Sequence, residues 1–183
     1  GGVEGYLNDS DEAALSLAAA LGAGEPRVPQ ADPDLVVLAG PPASVAGVLM
    51  ELSSRFLNAT FTDLASVKTL PQVEAETLGA DVSRFVGGHP LAGRERSGAE
   101  AARSDLFEDR PWVLTPSPKT SDVSLSRAEE LVRLCGGDLV VMSPDRHDEA
   151  VALVSHVPQV VASLAAARLA GADPDLVALS GQG

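Results

Sequence analysis

The run Gly87-Gly88-His89-Pro90-Leu91-Ala92-Gly93-Arg94-Glu95-Arg96-Ser97-Gly98 places a histidine where it could act on a ligand. An unperturbed imidazole has a pKa near 6.5, so histidine is the side chain that exchanges a proton at neutral pH. Two glycines before His89 let a ligand approach the backbone, and Pro90 stiffens the turn. From Arg84 to Arg96 there are three arginines against one glutamate, Glu95, in a chain whose formal net charge is −13. The local sign does not exclude a small anionic substrate, with arginine beside a histidine that a ligand could approach. The bland alternatives are a structural histidine and arginines that are merely solvated.

Two other segments carry candidates. Ser155-His156-Val157-Pro158-Gln159 puts polar residues on an otherwise apolar helical stretch, with Gln159 followed by Ser163 four residues on. Such a stripe needs a pocket, another helix or water as its partner, and Pro158 should kink the helix. His147 lies nine residues before His156, roughly half a turn away in helical phase. The two should therefore not face one pocket, and His147, between Asp145 and Asp148, reads as structural. In Thr62-Asp63-Leu64-Ala65-Ser66-Val67-Lys68, a serine and a lysine at a strand end can orient a base or a carboxylate. Taken alone, Ser66 is better read as a helix N-cap.

The elements that must hold these residues alternate between apolar runs and helical periods, the signature of parallel α/β structure. Strands are expected at Val3 to Leu7, Leu35 to Ala39, Ala59 to Asp63, Arg84 to Gly87, Pro111 to Leu114 and Asp138 to Met142. The unbroken run Leu35-Val36-Val37-Leu38-Ala39 suits a strand buried on both faces. Helices are expected over Asp11 to Leu21, Ala43 to Leu52, Lys68 to Leu78 and Ser124 to Leu134. A long one should run from Asp145 to about Ala170, and another should start near Asp173. Ligands of open parallel sheets sit outside the carboxyl ends of the strands. Three such ends stand out: Asn8-Asp9, Ala39-Gly40-Pro41-Pro42, and Asp63 to Lys68. Asp9, or Asn8 by a one-residue shift, could take the ribose hydroxyl of a dinucleotide, although helix capping is the commoner use of such residues. Small residues at Ala39 and Gly40 allow close approach, a weak signal by itself.

Composition narrows the classes. The 183 residues suit one domain, or one and the start of a second. The net negative charge argues against nucleic acid and anionic membrane surfaces as main partners. One cysteine, Cys135, rules out an internal disulfide and shows no metal-ligand cluster around it, which suits a reducing cytoplasm. The longest apolar stretch, Val151 to Ala167, is broken by Ser155, His156, Pro158, Gln159 and Ser163.

In this order, several segments resemble the prephenate/arogenate dehydrogenase family of tyrosine biosynthesis. They are Thr62 to Lys68; Gly87 to Gly93 with Ser97-Gly98; Leu106-Phe107-Glu108-Asp109-Arg110-Pro111-Trp112-Val113-Leu114-Thr115-Pro116; and His147-Asp148 with Ser155 to Gln159. The resemblance implies a doubly wound, mostly parallel Rossmann-like domain over residues 1–144. The start of an α-helical dimerisation domain would come after it, over 145–183. It implies oxidative decarboxylation of prephenate or arogenate with NAD or NADP, a cytoplasmic enzyme, and a homodimer in the full-length protein. His89 matches the family's catalytic histidine and Ser66 the serine that supports it. His156 matches a histidine of the substrate pocket, where Gln159, Arg94, Glu95 and Ser97 would also lie. Asn8, Asp9 and Ala39 to Pro42 would hold the cofactor, and an Asn at the ribose position keeps NADP open.

Two departures from the family bear on activity. No Gly-x-Gly-x-x-Gly turn precedes Val3, and the family's downstream carboxylate-binding arginine is not present by Gly183. The isolated 183 residues are therefore expected to bind dinucleotide poorly and turn over little. A hydroxy-acid dehydrogenase of related fold would use a lysine on the long helix, and residues 145–183 contain none. The remaining alternative is a non-catalytic binding or regulatory module on a Rossmann-like fold.

Overall fold

The computed structural model describes residues 3–93 and 98–178. In chain order the elements are α1 (Glu12–Ala20), β1 (Leu35–Leu38), α2 (Pro42–Arg55), β2 (Thr60–Asp63), α3 (Thr69–Leu78) and β3 (Phe85–Pro90). Then come β4 (Pro111–Thr115), α4 (Asp122–Leu134), β5 (Asp138–Val141), α5 (Pro144–Val151), a π-helical turn (Ala152–His156), α6 (Val157–Ala167) and α7 (Pro174–Ala178). The strands form one sheet in the order β1-β2-β3-β4-β5. All neighbours are parallel except β3 and β4, which are antiparallel. The α/β architecture, a mostly parallel sheet followed by helices, is the one the alternating pattern predicts.

The sheet is covered on both faces by side chains that alternate along the strands. Phe85 joins the core beneath α2 and α3, with Val45, Leu49, Phe61 and Ala75. The next residue, Val86, joins a second core with Trp112, Leu114, Ala128 and Val132, beneath α4. Phe61 is fully buried, and burying such a side chain contributes about 1.5–3 kcal/mol. The helix ends obey ordinary rules. Ser121 caps α4 by accepting from the Ser124 N–H, and α3 stops at Gly79 with φ 82°.

Two expectations need correction. Val3 to Leu7 is not a sheet strand: Tyr6 makes only an isolated bridge to Glu25. Among the described residues no neighbouring strand supplies the ladder it would need. β1 is not buried on both faces, since Val37 is 40% exposed. α2 covers one face, and α1, which has no buried residue, does not cover the other. Separately, the stretch from Pro144 to Ala167 is 24 residues long and holds an 18-residue window of mean hydropathy 1.6 that is 6% buried, so by length and composition it could cross a membrane. Its first part is not available for that. His147 and Val151 on α5 are buried against the rest of the fold. The rest, up to Ala167, is about 24 Å of helix, against the roughly 30 Å of a bilayer core.

β3 matters most for function, because it runs as far as Pro90 and carries His89 in the sheet. Its glycines are forced by packing. A Cβ on Gly88 would lie 2.6 Å from the Asp63 carbonyl oxygen and 2.8 Å from Thr62 Oγ1; one on Gly87 would lie 2.4 Å from Thr115 Oγ1. Replacing Gly88 by Ala should destabilise the fold by about 1–3 kcal/mol, the usual cost of overpacking. Urea unfolding checks this, and a variant as stable as the parent would refute the tight packing.

Candidate active site around His89

The carboxyl ends of β1, β2 and β3 lie along one edge of the sheet, as parallel pairing requires. They deliver Ala39-Gly40, Asp63 and His89 respectively.

Beneath His89 lies a buried ion pair. Lys68 Nζ donates to Asp63 Oδ2, and both side chains are essentially without solvent exposure. The same pair grips the Gly88 peptide unit from both sides. The Gly88 N–H donates to Asp63 Oδ1 at 3.0 Å, and Lys68 Nζ donates to the Gly88 carbonyl at 2.7 Å. Asp63 Oδ2 also accepts from the Ala65 N–H at 3.1 Å. Burial lowers the Lys68 pKa more than Asp63 and Asp148 raise it. Nearby, Thr62 Oγ1, Thr115 Oγ1 and Trp112 Nε1 are buried without a partner among the described residues.

His89 makes its contact with α5. Its Nδ1 lies 2.8 Å from His147 Nε2, and the rings meet edge-on at 67° with centroids 5.1 Å apart. His147 Nδ1 in turn lies 2.8 Å from Asp148 Oδ1. No hydrogen bond among the described residues engages His89 Nε2. Burial, with the charges of His147, Lys68 and His156, lowers the His89 pKa from 6.5 to about 4, against a smaller upward pull from Asp148. This corrects the expectation of a base titrating near 6.5. Burial pushes the Asp148 carboxyl up, but hydrogen bonds from Thr69, His147 and the Lys68 backbone outweigh it and hold its pKa at about 2.

Other sequence expectations are also revised. His147 is fully buried and touches His89, so it belongs to the site and is not merely structural. His156 is exposed on the π turn and contributes only a small part of the downward shift at His89. The phase argument that separated the two histidines assumed a regular α-helix. Instead, the Val157 N–H reaches the Ala152 carbonyl, five residues back. Pro158 has no N–H to give the Val154 carbonyl and its ring crowds that oxygen, so the turn widens. One extra residue in a turn rotates the later part of the helix by roughly 100°. Ser66 is exposed and makes no hydrogen bond to His89; nor does it cap α3. That cap comes from Asp148, whose two carboxylate oxygens accept the N–H groups of Lys68 at 2.8 Å and Thr69 at 3.0 Å.

Gln159 is exposed and donates to Ser163 Oγ at 3.4 Å. Arg94, Glu95 and Ser97 lie outside the described residues. Asn8 is exposed, and Asp9 accepts from the Asp11 N–H at 2.9 Å, while Asp11 itself caps α1. At the end of β1, Ala39, Gly40 and Pro41 are exposed, and Pro42 is half-buried in the first turn of α2. Pro41 offers no side-chain cap, and a Cβ on Gly40 would lie 2.8 Å from Ser44 Oγ. A bare backbone at an uncapped helix start fits the anionic part of a dinucleotide.

Residues 2–141 match the family described as "Prephenate dehydrogenase, nucleotide-binding domain". The chain belongs to that family. It is 45% identical over 180 residues to the probable prephenate dehydrogenase NovF of Streptomyces niveus, covering 98% of this chain and 50% of that protein. It superposes on the prephenate dehydrogenase of Aquifex aeolicus solved with hydroxyphenyl propionate and NAD+, with TM-score 0.84 and 32% identity over all of this chain and 66% of that one. It also superposes on Synechocystis arogenate dehydrogenase, with TM-score 0.64 and 33% identity over 80% and 52% of the two chains. The chain thus spans half the length of NovF, and its match covers 35% of the prephenate dehydrogenase of Bacillus subtilis.

Asp63 and Asp148 were not singled out by sequence as working residues, and Lys68 was named as one that could orient a base or a carboxylate but not as Asp63's buried partner. The available signal was Asp63 and Lys68 flanking one strand end, ahead of the glycine pair, but nothing local reveals a bond across eighty residues. Replacing Lys68 by Met strands the Asp63 carboxylate and should cost about 3–5 kcal/mol. Urea unfolding is the check, and a loss below about 1 kcal/mol would show that the pair does not hold the strand end.

Proposed function

We propose that the protein containing this chain catalyses oxidative decarboxylation of prephenate (to 4-hydroxyphenylpyruvate) or arogenate (to tyrosine), with NAD or NADP as acceptor. The observation that carries this reading is a neutral histidine at the carboxyl edge of a nucleotide-binding fold, with one ring nitrogen held and the other open. The family membership and the ligands of the Aquifex aeolicus enzyme support it.

His89 Nε2 accepts the proton of the substrate's ring hydroxyl. The O–H electron pair becomes a carbonyl bond as the neighbouring C–H pair departs. The bound nicotinamide supplies the acceptor for that hydride. The ring–carboxylate bond then breaks, carbon dioxide leaves, and its electron pair completes the aromatic ring. The ring oxygen recovers a proton from His89, so the histidine ends as it began. A pKa of about 4 keeps the imidazole unprotonated at neutral pH. The substrate's carboxylates would raise it as they enter, by the same charge effect that Lys68 exerts in reverse.

Ser66 and His156 are proposed to complete the pocket with Gln159, Arg94, Glu95 and Ser97. Asn8, Asp9 and Ala39 to Pro42 line the cofactor side. Residues 1–144 are read as the dinucleotide domain and 145–183 as the start of a helical domain. Every described residue from Ala152 to Ala170 is exposed, which supports a homodimer in which a second copy covers α6.

His89→Asn should lower turnover by about 10²–10⁴-fold with cofactor affinity retained, in assays of both substrates against both cofactors. Unchanged turnover would remove His89 from the role of base. In the unmodified enzyme, kcat/KM should hold down to about pH 4 and fall below it, because only neutral His89 accepts the proton. Val160→Asp with Leu164→Asp, one turn apart on α6, should yield monomers in sedimentation analysis, while persisting dimers would place the contact elsewhere.

A further inference from the structure

The chain of hydrogen bonds behind His89 has a direction, and its far end sets it. Asp148 is held well into its ionised range and can only accept. At 2.8 Å from Asp148 Oδ1, His147 Nδ1 must therefore carry a hydrogen. A neutral imidazole has a single N–H, so His147 Nε2 is a bare lone pair. His89 Nδ1 lies 2.8 Å from that lone pair and must be the donor. His89 then has its own lone pair on Nε2, the nitrogen that no described residue engages. An extra proton on His147 would reverse every step and leave His89 with a hydrogen on Nε2, unable to act as a base. His147 is fully buried. The other charged or titratable groups acting on His89 are Lys68, paired with Asp63, and His156 on the π turn.

We propose that His147 is a positioning residue that fixes the tautomer of His89, with Asp148 as the anion that orients the pair. Through them, His89 presents a bare Nε2 to the substrate before any substrate arrives. The proposal rests on His89 being the base. The carboxylate that orients the histidine chain is also the cap of α3, bonded to the N–H of Lys68 and of Thr69. The orientation of the base is thereby tied to the docking of α5 on the sheet domain.

The chain contains three histidines, so uniform 15N-histidine labelling with long-range proton–nitrogen spectra reads every tautomer directly. At neutral pH, His89 and His147 should both appear with hydrogen on Nδ1. In His147→Gln the amide oxygen reaches the place of the lost Nε2 and accepts, so His89 should keep its Nδ1 hydrogen. In His147→Leu no acceptor remains, and His89 should move to the Nε2–H form. Turnover should then fall on the order of 10²-fold or more in the Leu variant, through kcat with KM little changed. The Gln variant should stay within about 10-fold of the parent. An Nε2–H His89 in the unmodified protein, or an unchanged tautomer in a folded Leu variant, overturns the proposal. Should the Leu variant fail to fold, the parent and Gln spectra decide. These spectra need no substrate, so a protein inactive on prephenate and arogenate would refute the functional reading while leaving the tautomer assignment to stand or fall separately.

Discussion

The buried contact between Asp63 and Lys68 is the constraint on which the site depends. Neither charge has water around it, so each needs the other, and together they still have hydrogen-bonding capacity to spare. That capacity is used on one peptide unit, Gly88, whose N–H and carbonyl are both taken. The strand end before His89 is thus clamped by side chains from the neighbouring strand and the loop after it. The clamp in turn demands glycine. With Asp63 and Thr62 so close, no Cβ fits at position 88. The Asp63, Lys68 and Gly-Gly residues are therefore one device and not separate features.

Asp148 does for the helical part what Asp63 does for the strand. From α5 it closes the open start of α3 and backs His147 with the same carboxylate. Docking of the helix, capping of its neighbour and placement of the base are therefore coupled. A change in how α5 seats would be felt at His89 Nε2 without any residue of the sheet moving. Beyond Val151 the helix leaves the fold through a π turn just before Pro158. The apolar remainder of α6 points outward, as a surface meant for another chain would.

The sequence patterns were legible wherever the cause was local. Periodicity located the strands of the sheet, whereas the glycines before His89, read as room for a ligand, are required by packing against Thr62, Asp63 and Thr115. Reading failed where the cause was remote. Ser66 looked like the cap of α3 because it sits at the right spacing, yet a residue from α5 took that role. His147 and His156 were phased on 3.6 residues per turn, although the turn at Ala152–His156 is a wider π turn. Val3 to Leu7 has the composition of a strand, but a strand exists only if a neighbour pairs with it.

For the proposed reaction, a base with a pKa near 4 is at first sight too weak at neutral pH, but the alternatives are worse. A histidine titrating at 6.5 would spend part of its time protonated, and an imidazolium cannot accept the hydroxyl proton. Burial, with the Lys68 ammonium nearby, prevents that in the free site. The substrate itself carries the negative charge that would restore basicity, so proton affinity rises when it can be used. The cost falls on the fold: because the folded pKa lies below the unfolded value, His89 contributes destabilisation that grows as pH falls from about 6.5 to about 4. On the proposed reading, the site trades acid stability for a base that is ready before substrate binds and strengthened once it has bound.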